Sequence, residues 1–194
     1  MRSGPVFPGR FILNCLINLT ALFLDVLCVP GWLKLLGISR QGVHMSRANL
    51  TLLTVVGLSY WFFGNLYESV VFSPNWIVDT PAQIDRLNDF FVNTSPTTYF
   101  VPLLIVTDAV FLGLWIRDRR RYARAAVLML VLNIVNAGIV TGVAIPLFAE
   151  GTAAYAWTWN ALNLVRMLLT AATAYTLFQI YRELDHPRPD SSPQ

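Results

Sequence analysis

The stretch LLIVTDAVFLGLWI-RDRRRY-ARAAVLMLVLNIVNAGIVTGVAIPLF, Leu103 to Phe148, decides the fold. Two apolar runs flank a knot of arginines: Arg117, Arg119, Arg120 and Arg121, then Arg124, with Asp118 among them. A helix crosses the hydrocarbon of a bilayer with about 20 mostly apolar residues. A short connection rich in arginine between two such helices is held on the cytoplasmic side. The stretch therefore reads as two membrane-spanning helices turning back at the cytoplasm.

Two further runs of the same kind lie outside it. The four spans are Ala48 to Phe72, Thr98 to Ile116, Ala123 to Phe148 and Ala161 to Tyr181. Composition agrees: 55% of the 194 residues are hydrophobic and 13% charged, about half the charge of a soluble domain. The fold class is an all-α membrane protein, a four-transmembrane-helix bundle with an extra N-terminal apolar segment. Trp76, Tyr99, Trp115, Tyr122, Tyr155, Trp157, Trp159 and Tyr181 fall near run ends, as an aromatic belt requires. The connection 73–97 sets Arg86 against Asp79, Asp85 and Asp89, and the connection 149–160 carries only Glu150, so both belong outside. The stretch before the first span and the C-terminus are then cytoplasmic. The basic residues sit between apolar runs rather than along a face, which excludes a nucleic-acid surface.

Three parts follow along the chain: an N-terminal segment, 1–44; the bundle, 45–183; and a disordered cytoplasmic tail, 184–194. Within the first, Phe11 to Val29 is apolar but interrupted by Asn14, Asn18 and Asp25. It reads as a signal anchor or an interfacial helix, or the natural start is Met45. A fifth span would place Arg2 and Arg10 outside. In the connection after the first span, Thr80-Pro81-Ala82-Gln83 has the pattern of a capping box, and Ile84, Leu87, Phe90 and Phe91 recur at helical spacing. A short amphipathic helix on the outer face is expected, either a packed connector or a lid.

Cofactor chemistry finds no ligands. Cys15 and Cys28 form no CxxC and have no nearby histidine, and His44 and His186 lie outside the spans. No metal and no cofactor is expected. The spans instead contain three ionisable residues, Glu68, Asp108 and Arg166, accompanied by Asn65, Asn133, Asn136 and Asn163. Each charge costs about 2.5 to 3.5 kcal/mol to insert unless it is paired or serves a function. At about 1.5 Å per residue from the outer run ends, Glu68 lies about 6 Å deep, Arg166 about 12 Å and Asp108 about 15 Å. Gly57, Trp61, Gly64, Asn65 and Glu68 share one side of the first span, and Asn163, Arg166, Thr170 and Thr173 one stripe of the fourth. These faces should meet inside the bundle, with Glu68 or Asp108 as the partner of Arg166.

Gly64-Asn65 in the first span, Ser73-Pro74-Asn75-Trp76 after it, and Trp159-Asn160 followed by Asn163 and Arg166 in the fourth form an ordered set. Across residues 45–183 this order resembles the small four-helix membrane family that includes the anthrone oxygenases. The resemblance implies a four-helix bundle and chemistry on a hydrophobic, polyketide-like substrate. The spans hold no histidine to act as a base, which separates this sequence from simple oxygenase chemistry.

The residues point first to a membrane enzyme. Glu68 and Asp108 are its catalytic acid and base, and Trp61, Asn65, Tyr67, Asn133, Asn136, Trp159, Asn163 and Arg166 bind a hydrophobic small-molecule substrate. Tryptophans around a carboxylic acid suit a cyclase or isomerase working on an isoprenoid as well as an oxygenase. Two readings of other classes stand beside it. One is a small proton-coupled transporter, against which no internal repeat is visible in the sequence. The other is a non-catalytic membrane subunit whose polar face merely glues helices. The lipid bilayer is a partner in all three, and assembly into a homo-oligomer is left open.

Overall fold

The computed structural model describes residues 46–91, 93 and 96–186. The N-terminal segment, with its anchor, interfacial and Met45-start readings, lies outside the described residues, as does the tail from 187. Described residues are about 93% helical and contain no strand.

Ser46 opens α1, Arg47–Tyr67, by accepting the Asn49 N–H on its hydroxyl at 3.1 Å. The helix runs on through a π turn, Glu68–Phe72, into α2, Ser73–Ile77. After the amphipathic helix α3, Thr80–Phe90, come α4, Pro96–Arg117, and α5, Arg119–Ile139. A second π turn, Val140–Ala144, leads into α6, Ile145–Glu150, and α7, Ala153–Asp185, completes the bundle. Four rods result, Arg47–Ile77, Thr98–Arg117, Arg119–Glu150 and Ala153–Asp185, of 31, 20, 32 and 33 residues. All four are long and apolar enough to cross a membrane, and the chain is an integral, multi-pass membrane protein.

The rods outrun the expected spans at the end away from the arginines. The first continues to Ile77 instead of Phe72, because Pro74 falls two residues past the π turn, at the start of a new helical segment where its missing N–H is tolerated. The fourth starts at Ala153 rather than Ala161, and the expected connection 149–160 shrinks to Gly151 and Thr152. Ala153, Ala154 and Ala156 favour helix, and the aromatics among them mask that signal. At the other end, the arginine connection shrinks to Asp118, which caps α5 by accepting the Arg121 N–H at 3.2 Å. The fourth helix also takes in Leu184 and Asp185, two residues of the expected tail.

The first and third rods share one plan. Each has 21 α-helical residues, a five-residue π turn, and a proline at the second position beyond it. Counterparts lie 72 positions apart throughout: Ser46 and Asp118, Glu68 and Val140, Pro74 and Pro146. The sequence reading found no internal repeat; the backbone contains one, carried by caps, turn lengths and prolines rather than by side-chain identity.

α7 packs most extensively on α1, then on α5, while α4 lies against α1 and, less closely, α5. Gly57 and Gly64 bring α1 and α4 together. A Cβ on Gly57 would stand 3.2 Å from Thr107 Cβ and nearer still to its hydroxyl, and one on Gly64 would meet the Phe100 ring. Near the arginine end, Leu58, Phe111, Leu114, Tyr122, Met129, Leu132 and Leu177 form one apolar cluster. Tyr122, expected in the belt, is instead fully buried there, its hydroxyl 2.6 Å from that of Thr51. Thr51 already donates to the Arg47 carbonyl, so Tyr122 is the donor. At the other end, Trp76, Ile84, Ile139, Val143, Leu147 and Trp159 form a second cluster.

The amphipathic helix α3 is present as expected, and Ile84 fastens it to that second cluster. Its start differs. Asp79, in a left-handed conformation with φ 56°, is the cap residue, Thr80 is already helical, and the Thr80 hydroxyl turns back to the Ile77 carbonyl at 3.2 Å. No capping box forms. Gly151 holds α3 from the other side: at φ 61° its N–H closes on the Leu147 carbonyl at 2.9 Å, and a Cβ there would lie 3.2 Å from Pro81 Cα.

The distribution of side chains is that of a protein dissolved in lipid. Phe63, Val70, Val127, Leu130, Ile134 and Leu168 point outward, while Thr51, Thr54, Asn65, Thr107, Asn163, Arg166, Thr170 and Thr173 are buried.

Candidate functional site

Between the two apolar clusters lies a polar layer built from three rods. Its centre is Arg166 on α7, 5% exposed. Its Nε donates to Asn163 Oδ1 at 2.8 Å, and one terminal nitrogen donates to the same oxygen. The other terminal nitrogen donates to Asn136 Oδ1 of α5 at 2.9 Å. The guanidinium carbon lies 5.6 Å from the ring centre of Trp61 and 5.8 Å from that of Trp159. The cation is thus held by two amides and two indoles.

Asn163 links this cage to α1. Its amide nitrogen donates to the Asn65 carbonyl at 3.0 Å and to the Ser69 hydroxyl at 2.6 Å. The π turn makes that carbonyl reachable, since the i to i+4 ladder of α1 is interrupted there. Asn65 in turn donates from its side chain to the Trp61 carbonyl at 2.7 Å. Asn136 sits one turn before the second π turn. The first π turn therefore meets Asn163 through Ser69, and the second begins one turn beyond the asparagine that holds Arg166.

The expected ion pair is not formed. Among the described residues no carboxylate approaches Arg166 within 4.0 Å. Glu68 stands three residues beyond Asn65 on the first rod, and its carboxylate makes no hydrogen bond or ion pair to any described residue. Asp108 of α4 faces Asn133 of α5, and its Oδ1 is buried without a hydrogen-bond partner. Amides took the place expected for a carboxylate because Asn163, three residues before Arg166, reaches it along one helix face.

Trp61, Asn65, Asn136, Trp159, Asn163 and Arg166 therefore come together, Glu68 borders them, and Asp108 with Asn133 forms a neighbouring pair. Tyr67 does not belong. It is 56% exposed and packs edge-on against Phe72, 5.6 Å away, on the outer face. Its position two residues after Asn65 turns it off the buried face. Two residues of the layer escaped the sequence reading. Ser69 holds Asn163, and Trp76, assigned to the belt when the span was ended at Phe72, lies inside with its ring centre 4.9 Å from that of Trp159. Depth changes as well. Counted from Ala153, Arg166 is about 20 Å along its helix rather than about 12 Å, so the layer lies near the middle of the rods.

Among the described residues four buried polar atoms lack a partner: Trp61 Nε1, Trp76 Nε1, Ser73 Oγ and Asp108 Oδ1. Three of them come from the first rod, Ser73 and Trp76 on the side of the polar layer nearer α3 and Trp61 one turn before Asn65 on the other. A shallow groove lined by Val56, Ser59, Tyr60 and Phe63 lies on the outer face of α1 and is separate from this layer. Among the described residues no group of three or more His, Cys, Asp or Glu side chains is placed to hold a metal. No family model, curated protein or solved structure matches the chain.

Proposed function

We propose that the chain is an integral membrane enzyme that performs acid–base chemistry on a hydrophobic small molecule, isoprenoid or polyketide-like, within the polar layer. The carrying observation is the pairing pattern of the buried charges: Arg166 bonds to amides, while Glu68 and Asp108 stay out of contact with it. A purely structural network would close the arginine onto an acid, since an uncompensated buried charge costs several kcal/mol. Carboxyl groups that are near a cation but not neutralised by it remain able to carry a proton. Glu68 and Asp108 are the proposed acid and base. The caged arginine bordered by Glu68 favours cyclase or isomerase chemistry; the likeness to the anthrone oxygenase family adds an oxygenase as the neighbouring reading. α3, fastened over the end of the bundle by Ile84 and Gly151, is the proposed cover of the site.

The test compares hydrophobic metabolites extracted from membranes of cells carrying the wild type, Glu68→Gln or Asp108→Asn. A product present with wild type should fall by about a hundredfold in at least one variant at equal amounts of folded protein. Full turnover by both folded variants rules out the acid–base role.

One observation favours a second reading. The shared plan of the first and third rods is the kind of internal repeat that small transporters carry. Proton movement in proteoliposomes driven by a hydrophobic cation would establish transport; its absence with intact protein leaves the enzyme. We further place the arginine end in the cytoplasm, supported by Arg117, Arg119, Arg120, Arg121 and Arg124 at that end against Asp79, Asp85, Asp89 and Glu150 at the other.

A further inference from the structure

The unsatisfied groups of the polar layer are mostly of one kind. Arginine has five N–H donors and no acceptor. Three bonds, to Asn163 and Asn136, leave one N–H on each terminal nitrogen of Arg166 without an acceptor among the described residues. Trp61 is 6% exposed and Trp76 5%, and the indole N–H of each is buried without an acceptor. Indole is likewise donor-only. Trp61 lies over the guanidinium, and Trp76 meets it through Trp159. The amide oxygens of Asn163 and Asn136 are already engaged by the arginine. A cation without a contact counter-ion therefore lies against one neutral donor, Trp61, while Trp76 stands on the α3 side of the layer against Trp159, with the apolar residues Ile139, Val143 and Leu147 of the second cluster.

We infer that this layer is an oxyanion receptor: it takes a flat, hydrophobic molecule through an enolate, phenolate or carboxylate oxygen, received by Arg166 and assisted by the Trp61 N–H. The inference rests on the enzyme reading and names its substrate class. In the corresponding step a carboxylate of Glu68 or Asp108 takes a proton from carbon next to a carbonyl. The C–H electron pair moves into the new C=C bond, the C=O π pair moves onto oxygen, and the resulting enolate oxygen is stabilised at Arg166. In a β,γ-unsaturated carbonyl compound the enolate is a dienolate: the oxygen pair returns to the C=O, the double bond shifts into conjugation and the γ-carbon takes the proton back, which completes an isomerisation with no other reactant. An ionised Glu68, three residues beyond Asn65 on the first rod, repels the bound anion.

The probes are 2-naphthoate and 2-naphthamide, which share shape and differ in charge. Each is titrated by calorimetry into the full chain in phosphatidylcholine nanodiscs, with empty discs subtracted. Naphthoate should bind the wild type at least tenfold more tightly than the amide. Arg166→Gln should bring that ratio close to one, and Glu68→Gln should raise it. Trp61→Phe keeps a six-membered aromatic ring against Arg166 and removes the N–H with the rest of the pyrrole ring, so it serves if Arg166→Gln does not fold; it should weaken naphthoate several-fold more than naphthamide. Equal binding of the two probes by the wild type overturns the receptor, as does a ratio unaffected by Arg166→Gln or, failing its folding, by Trp61→Phe. Binding is read here without turnover. Loss of the receptor and loss of the acid–base role are therefore separate results: an unchanged product level in Glu68→Gln and Asp108→Asn would remove the enzyme while leaving the receptor standing.

Discussion

Asn163 uses both ends of one amide: its oxygen takes two donors from Arg166 and its nitrogen reaches Asn65 and Ser69 across the helix interface. Asn163→Ala would leave charged donors without acceptors inside the bundle, and unfolding free energy in detergent should fall by about 2 kcal/mol or more. Tyr122→Phe removes one hydroxyl bond to Thr51 and nothing of the ring. The cost should be small, about 0.6 kcal/mol, the average measured for buried hydrogen bonds in membrane helices. A loss for Tyr122→Phe as large as that for Asn163→Ala would contradict this ranking of the two contacts. Most members of the layer could be picked out from sequence, because a charged or amide side chain within an apolar run has nowhere stable to go except inward. The partner of Arg166 could not be, since Glu68, Asp108 and the asparagines all lay within reach by depth. Choosing between amide and carboxylate needs side-chain positions fixed to a few ångströms.

At the scale of the element, α1 and α4 meet where Gly57 faces Thr107 and Gly64 faces Phe100. Thr107 is short and its hydroxyl is tied to the Leu103 carbonyl at 2.7 Å, so it cannot swing aside. Gly57→Val should lower stability by about 1 to 3 kcal/mol through overpacking. Gly64→Ala should cost less, because the contact there is the outer edge of a Phe100 ring that can rotate; equal thermal shifts for the two variants would refute that difference. The spans themselves were legible from runs of apolar residues, whose composition differs sharply from that of connections. Their ends were not. Pro74 and Pro146 look like breaks in sequence, yet each starts a fresh helical segment after a π turn, and Trp76 is carried inward as a result. The Thr80 box failed for a related reason: the left-handed turn at Asp79 starts α3 one residue early.

For the whole molecule, the arginine end and the α3 end should lie on opposite sides of the membrane. In a chain with Cys15 and Cys28 changed to serine, an impermeant thiol reagent added to intact cells should label a cysteine at Gln83 and spare one at Arg120. Labelling of both, or the reverse pattern, contradicts the proposed orientation. The architecture was open to sequence reasoning and the shared plan of its first and third rods was not, because those two rods agree in where the backbone changes pitch and hardly at all in side chains. That agreement has a mechanical meaning. A π turn holds more residues per turn than the α-helix on either side, so each π turn sets the angular phase of everything beyond it. Removing one residue from a helix rotates the following segment by about 100°. Deleting Val70, which faces outward, should therefore turn Trp76 away from Trp159 and abolish the folded state, read by near-ultraviolet circular dichroism. Deleting a second residue from the matching turn at Val140–Ala144 would restore the phase of the first and third rods to each other, but not to α7, which carries no π turn. The double deletion should rescue nothing. α7 acts as the fixed reference against which both winding offsets are set.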